Sequence, residues 1–258
     1  MKMKRRIGVI VIFAVIFVVL WWLYDMEFHY SNTDAGRLAA VEEYIPQPEE
    51  STISHGVEAG TPVRAVSWQT IKNRLFVFYK ADNEENVHGI LHLVRGINGK
   101  YRAVEADMNP SPYVAGVYGD SLTPKGTDWK LFSLAGDNCH NIYAVEVCYA
   151  VVDQSGMDLI RASETYDITE ANFLWIMNQE NVVEELGLDD TAVARLYVDE
   201  IRMLDEEGND ITDQYKDDSA TASWSAGIST AEMFLLYVYM GIVAFLGLIL
   251  VRFYLRRD

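Results

Sequence analysis

Cysteine, proline, histidine and positive charge are all scarce in this chain, and each shortage removes a class of explanation. Two cysteines in 258 residues cannot build the several bridges of a disulfide-stapled domain. Nor do they offer the paired Cys and His spacing of a structural zinc site. Six prolines and 17 glycines are too few for a collagen-like or low-complexity chain. The five histidines give one close pair and no larger cluster, so neither a metal nor another cofactor is expected. Basic residues number 21 against 38 acidic ones, a net charge of −17. Such a chain repels phosphate, which argues against nucleic acid as a partner.

What the chain does have is a long apolar run near each end. Ile7 to Tyr24 reads IGVIVIFAVIFVVLWWLY after Lys2, Lys4, Arg5 and Arg6, and Phe234 to Tyr254 reads FLLYVYMGIVAFLGLILVRFY with Arg252, Arg256 and Arg257 at its end. A helix needs about 20 apolar residues to cross a bilayer core, and both runs are long enough. The first is longer than a signal-peptide core and DMEFHYSN follows it without a small-residue cleavage pattern, so an uncleaved anchor is expected. No LPxTG-like sorting motif precedes the second.

Charge is divided sharply between the ends and the middle. The tails hold seven basic residues and one acid, whereas Asp25 to Glu232 holds 14 basic and 37 acidic residues, a formal −23. Basic flanks stay in the cytoplasm. The expectation is a two-span plasma-membrane protein, bacterial by composition, with both termini cytoplasmic and the acidic middle outside. Neither apolar run carries an acidic, Lys or His residue, which gives no hint of transport. Gly241, Ala244 and Gly247 fall three apart and suit a close helix contact.

The expected organisation is a basic tail (1–6), a first membrane helix (7–24), a short helix with a linker (25–65), a β-rich domain (66–213), a juxtamembrane tether (214–232), a second membrane helix (233–254) and a tail (255–258). The short helix is Asp34 to Tyr44, stopped by Pro46 and Pro48. Pro46 to Val63 reads as linker, and Gln214 to Thr230 as a flexible tether.

Between them lie short runs rich in β-branched and aromatic residues. They are Arg74–Ala81, Val87–Arg95, Lys100–Asp107, Tyr113–Tyr118, Trp129–Ala135, Ile142–Val152, Met157–Thr165, Ile168–Met177 and Arg195–Leu204. Asn98-Gly99 predicts a two-residue hairpin turn with positive φ at both positions. A second hairpin is expected across Asp153 to Gly156 and a third across Glu207 to Asn209. Asn181 to Gly187 is the one helical turn. The fold class is therefore a mainly β ectodomain, an antiparallel sandwich or barrel-like structure, flanked by two transmembrane α-helices. Phe76, Phe78, Val145, Val147, Tyr149, Val151, Phe173, Trp175 and Ile201 are the expected core.

Candidate chemistry is sparse. His88 and His92 are four apart, but on a strand that is about 13 Å, too far to share a metal, and both are expected on the solvent face. Cys139 and Cys148 are expected to remain thiols, with Cys148 near the core, because Ile142–Val152 reads as one strand. A bridge would need a reversal at His140-Asn141. The acidic run Asp205 to Asp210 lacks the register of a calcium loop and reads as a solvated turn.

Gly119-Asp120-Ser121-Leu122-Thr123 resembles the first sequence block of the GDSL (SGNH) lipases and esterases. The resemblance implies Ser121 as nucleophile, and Asp137-Asn138-Cys139-His140 fits that family's DxxH block, implying Asp137 and His140 as its partners. The family spreads these blocks over a longer α/β domain, and its GxND block has no match here, since Gly208-Asn209-Asp210 lacks the spacer. The alternative is a loop that uses Gly, Asp and Ser for turning.

The leading functional expectation is a non-enzymatic module of the cell envelope, acting in interaction, sensing or as an accessory subunit. Its expected partners are the lipid bilayer and a membrane protein, or a second copy through the helices. The alternatives are a carbohydrate- or cell-wall-binding sandwich using Tyr113, Tyr118 and Trp129, and a surface serine hydrolase using Ser121, Asp137 and His140.

Overall fold

The computed structural model describes residues 2–45, 57, 60–82, 86–153, 159–188, 193–217, 226–229 and 233–256. It is mostly antiparallel β-structure with a long apolar helix at each end. Helix α1 spans Lys2–Glu27 and α4 spans Met233–Arg256. Both are long and apolar enough to cross a membrane, and almost none of either apolar stretch is buried by the rest of the chain.

The two helices lie side by side and antiparallel. Gly8 sits against Tyr254, and Gly247 faces Ile16 so closely that a Cβ there would collide with it. Of the small-residue row, Gly247 makes the close approach, whereas Gly241 faces open space. Gly247 therefore serves a contact within this chain.

Helix α2, Asp34–Tyr44, is a separate element and does not continue α1. Thr33 caps it by accepting from the Gly36 N–H, as Ser/Thr residues do at helix starts. Ala40, Val41 and Ile45 are buried in the core. The expected linker at 46–63 lies mostly outside the described residues, though Val57 is buried and the first strand already begins at Val63.

A five-stranded sheet follows, built from β1 (Val63–Ile71), β2 (Arg74–Ala81), β3 (His88–Arg95), β4 (Tyr101–Met108) and β11 (Ala226–Ser229) in that order. Every β2 residue after Arg74 is buried, because both faces of the sheet are covered. Leu75, Val77, Tyr79, Leu91 and Leu93 face the side of α2. Phe76, Phe78 and Ile90 face a second sheet.

That second sheet has the order β5-β6-β9, from Gly116–Leu122, Leu131–Asp137 and Phe173–Asn178. A third, β10-β7-β8, uses Val193–Leu204, Ala144–Asp153 and Leu159–Asp167. Helix α3, Gln179–Glu185, follows β9, and the chain turns soon after at Gly187, whose φ is +69°. Val145, Val147, Tyr149 and Val151 alternate inward along β7, whereas Trp175 and Ile201 are only partly buried against the same cluster. The residues of the second expected hairpin turn, 154–158, lie outside the described residues. The third is a short turn closed by a bridge between Leu204 and Asp210.

Two local expectations need correction. The Asn98-Gly99 turn has a three-residue loop, because Gly96 and Lys100 still pair and the Gly99 N–H donates to the Gly96 carbonyl. Gly99 alone has positive φ, +79°, the pattern of a turn followed by a left-handed residue. The expected tether is also engaged. Lys216 bridges to Tyr113, and β11 pairs with β4 from Ala226↔Met108 to Ser229↔Glu105.

Candidate functional site

Three features could do work: a polar layer between the first two sheets, a seat where α1 meets the β-domain, and a groove beside Trp129.

The polar layer arises because β2, β3 and β4 carry Lys80, His88, His92, Glu105 and Asp107 toward the β5-β6-β9 side. Of the histidines expected on the solvent face, His92 is buried and His88 half-buried, a correction whose cause is the second sheet. His92 is 2 % exposed and stacks on Phe76 at 4.9 Å. Its Nε2 lies 2.8 Å from Arg74 Nη1, and its Nδ1 lies 2.9 Å from Glu105 Oε1. Arginine can only donate, so Nε2 accepts and the proton resides on Nδ1, donated to Glu105. Burial holds His92 below its ordinary pKa, against the pull of Glu105. Glu105 also accepts from the Lys125 N–H, which fixes the β5–β6 loop to the sheet.

At the opposite end of the layer, Asp137 is fully buried and Arg64 donates to both its carboxylate oxygens at 2.7 Å. Lys80 Nζ lies 3.4 Å from it and donates to the Val114 carbonyl and the Tyr118 hydroxyl. Burial lowers the Lys80 pKa, with Asp137 opposing. Nearby, burial lowers His88 to about 3, and its Nδ1 is buried without a hydrogen bond among the described residues. Burial, with Asp120 and Glu105 adding repulsion, lifts Asp107 to about 7. Among the described residues no three His, Cys, Asp or Glu side chains converge to hold a metal.

The seat joins α1 to the β3–β4 turn. Lys100 Nζ and Asn98 Nδ2 donate to Asp25 at 2.8 Å, and Asn98 also donates to the Phe28 carbonyl. Arg102, itself buried, pairs with Glu27. The Ile97 N–H donates to the Tyr24 hydroxyl at 3.0 Å. Beyond the helix, Tyr30 exchanges both backbone hydrogen bonds with Tyr101 at the start of β4. Both approaches to the β-domain therefore end on one strand, Tyr30 at Tyr101 and β11 at Glu105 to Met108.

The groove, of about 780 Å³, is lined by Gln69, Lys72, Asp128, Trp129, Asn178 and Glu180 among others. Lys72 Nζ and the Arg74 guanidinium lie 4.8 and 5.5 Å from the Trp129 ring centre. Of the aromatics expected to bind a carbohydrate or cell wall, Trp129 and Tyr113 are half-buried, whereas Tyr118 is buried under Lys80.

The GDSL-like residues do not come together. Gly116 pairs with Asp137 and Ser121 with Phe132, so Ser121 and Asp137 stand five residues, about 16 Å, apart along the hairpin. Ser121 Oγ donates to the Leu196 carbonyl, Asp137 is committed to Arg64, and His140 is exposed in the turn after β6. Both cysteines are free thiols. Cys139, rather than Cys148, is the buried one, its pKa lifted by burial to about 12. Cys148 alternates outward from Val147 and Tyr149.

Sequence reasoning missed Arg64, Lys80 and Glu27 as partners, because their mates lie 73, 57 and 75 positions away and no local pattern joins them. No protein-family model, no curated protein and no solved structure matches the chain.

Proposed function

We propose that the chain is a two-span membrane protein whose β-domain is a non-enzymatic interaction module of the cell envelope, an accessory subunit held in a fixed pose above the bilayer. The observation that carries this reading is the seat. Asp25, Glu27 and Tyr24 on the end of α1 bind Asn98, Lys100, Arg102 and Ile97 of one hairpin. A domain clamped to its anchor cannot reach out for a distant ligand, but it can hold a surface at fixed height and orientation for a neighbour. The basic residues at both ends support a cytoplasmic location for the termini, and the antiparallel helix pair supports their lying on one side. The stacking of β5-β6-β9 on the five-stranded sheet supports a sandwich.

Crosslinking in native membranes, with mass spectrometry of co-purifying chains, tests the reading. A stoichiometric membrane partner is the expected result, and recovery of this chain alone overturns it.

A second reading, binding of a saccharide or cell-wall polymer, is favoured by Trp129. Its half-buried ring borders a groove with amide and carboxylate neighbours, the mixture of apolar face and polar rim that ligand sites use. Retention on insoluble cell wall, lost in Trp129→Ala, is its expected outcome.

A further inference from the structure

Among the large apolar side chains of the β-domain, Ile97 stands out. It is 82 % exposed at the tip of the β3–β4 turn, and its height relative to a bilayer can be read from α1.

The apolar run from Ile7 to Tyr24 has 18 residues, about 27 Å at 1.5 Å per residue, against a hydrocarbon core of about 30 Å. Tyr24 therefore marks the boundary between hydrocarbon and headgroups, whichever way the helix crosses. Helical side chains lean toward the N-terminus, so the Tyr24 hydroxyl lies no farther out than its own backbone. The Ile97 N–H is 3.0 Å from that hydroxyl. Gly96 packs so closely on Phe28 and Tyr24 that a side chain there would collide with both. Asn98 and Lys100 tie the other arm of the turn to Asp25. Trp21 and Trp22, both exposed, lie within the same turn of helix just below, where indole rings favour the headgroup layer.

We infer that the β3–β4 turn sits in the headgroup layer of the same bilayer that holds the helices and buries the Ile97 side chain at its apolar boundary. The occupant is lipid. The turn is pinned at the depth of the span's end, and an apolar side chain there meets acyl chains rather than water. The β-domain thus has a third membrane contact besides its two helices, one that sets its tilt. This inference rests on α1 spanning the bilayer.

The test uses the full chain reconstituted alone in phosphatidylcholine vesicles, on a Cys148→Ser background that keeps the buried Cys139. An environment-sensitive fluorophore is attached in turn to Ile97→Cys, Val15→Cys and Asn209→Cys, and quenched by lipids carrying nitroxides at shallow or deep positions. The expected result is loss of emission at position 97 with shallow nitroxides, at position 15 with deep ones, and at position 209 with neither. Quenching at 15 without quenching at 97 overturns the inference and leaves the membrane reading intact. Quenching at neither position overturns both. Because no other protein is present, quenching at 97 excludes a protein partner as the cover.

Discussion

The two faces of the five-stranded sheet solve the problem of burial in opposite ways. Toward α2 the sheet presents Leu75, Val77, Tyr79, Leu91 and Leu93, and the cover is Ala40, Val41 and Ile45. Toward β5-β6-β9 it intersperses Phe76, Phe78 and Ile90 with Lys80, His88, His92, Glu105 and Asp107. Apolar contact is non-directional and seals the first face without specifying register. Ion pairs are directional and gain little net stability when buried. On the second face they specify which strand lies where: Asp137 draws β6 against Arg64 and Lys80, and Glu105 adds a directional hydrogen bond from the Lys125 backbone N–H that fixes the β5–β6 loop. We expect the first face to supply stability, and the second to supply position together with pH sensitivity.

The largest effect should come from breaking the second face at Asp137. Asp137→Ala strands Lys80 in the interior, and losing one partner of a buried pair costs about 3–5 kcal/mol. Chemical denaturation of the detergent-solubilised chain measures it. An apolar replacement of the whole triad, Arg64→Leu, Lys80→Met and Asp137→Leu, should recover most of that loss. If it does not, the ions stabilise rather than position.

Leu91→Ala on the first face should cost about 3 kcal/mol, and by the same amount at pH 5 and pH 8. A cost that changes with pH would mean the two faces are coupled.

Asp107 sharpens the contrast in the other direction. Its folded pKa, about 7, lies above the ordinary 3.8. Its contribution is full below about pH 4 and is lost as pH rises toward 7. Asp107→Asn should therefore stabilise at pH 8 by on the order of 2 kcal/mol and change little at pH 4. His88 works oppositely, since its folded pKa of about 3 lies below the ordinary 6.5. Its neutral burial favours folding above pH 6.5 and opposes it as pH falls toward 3. In the parent chain the two trends offset each other between about pH 4 and 6.5. A stability–pH series should show little net contribution from the pair in the parent and a rising profile in Asp107→Asn.

The smallest effect is expected at Ser121. Its hydroxyl donates to the Leu196 carbonyl from an otherwise exposed residue, so Ser121→Ala should cost about 1 kcal/mol or less. A serine-directed fluorophosphonate should label parent and variant alike, at background level. Labelling of the parent that vanishes in the variant would instead revive the hydrolase reading.

Much of the strand placement was legible because alternation and turn residues are local. Arg74–Ala81 coincides with β2, and Val87–Arg95 differs from β3 by one residue. The misses are where tertiary context decides. Ala226–Ser229 has the composition of a tether and becomes a strand because β4 has a free edge. His88 and His92 look like surface residues in an alternating run, but the face they occupy is covered by strands that come later in the chain, from Gly116–Leu122 to Phe173–Asn178. The groove and the seat are similarly assembled from distant segments. Only Trp129, an aromatic beside polar neighbours, gave any local signal.

The attachment of both chain arms to β4 also bears on how the two helices find each other. About 205 residues separate α1 from α4, and closing a flexible loop of that length costs about 5 kcal/mol of entropy. If the two helices lie in lipid, as proposed, they have no hydrophobic drive to associate, and the contact between Ile16 and Gly247 does not meet that cost unaided. The folded domain meets it in advance by delivering both ends to neighbouring positions on one strand. Pairing of the helices thereby becomes a readout of the domain's integrity: a lesion in the β-sheet lowers the effective concentration of one helix for the other without touching either.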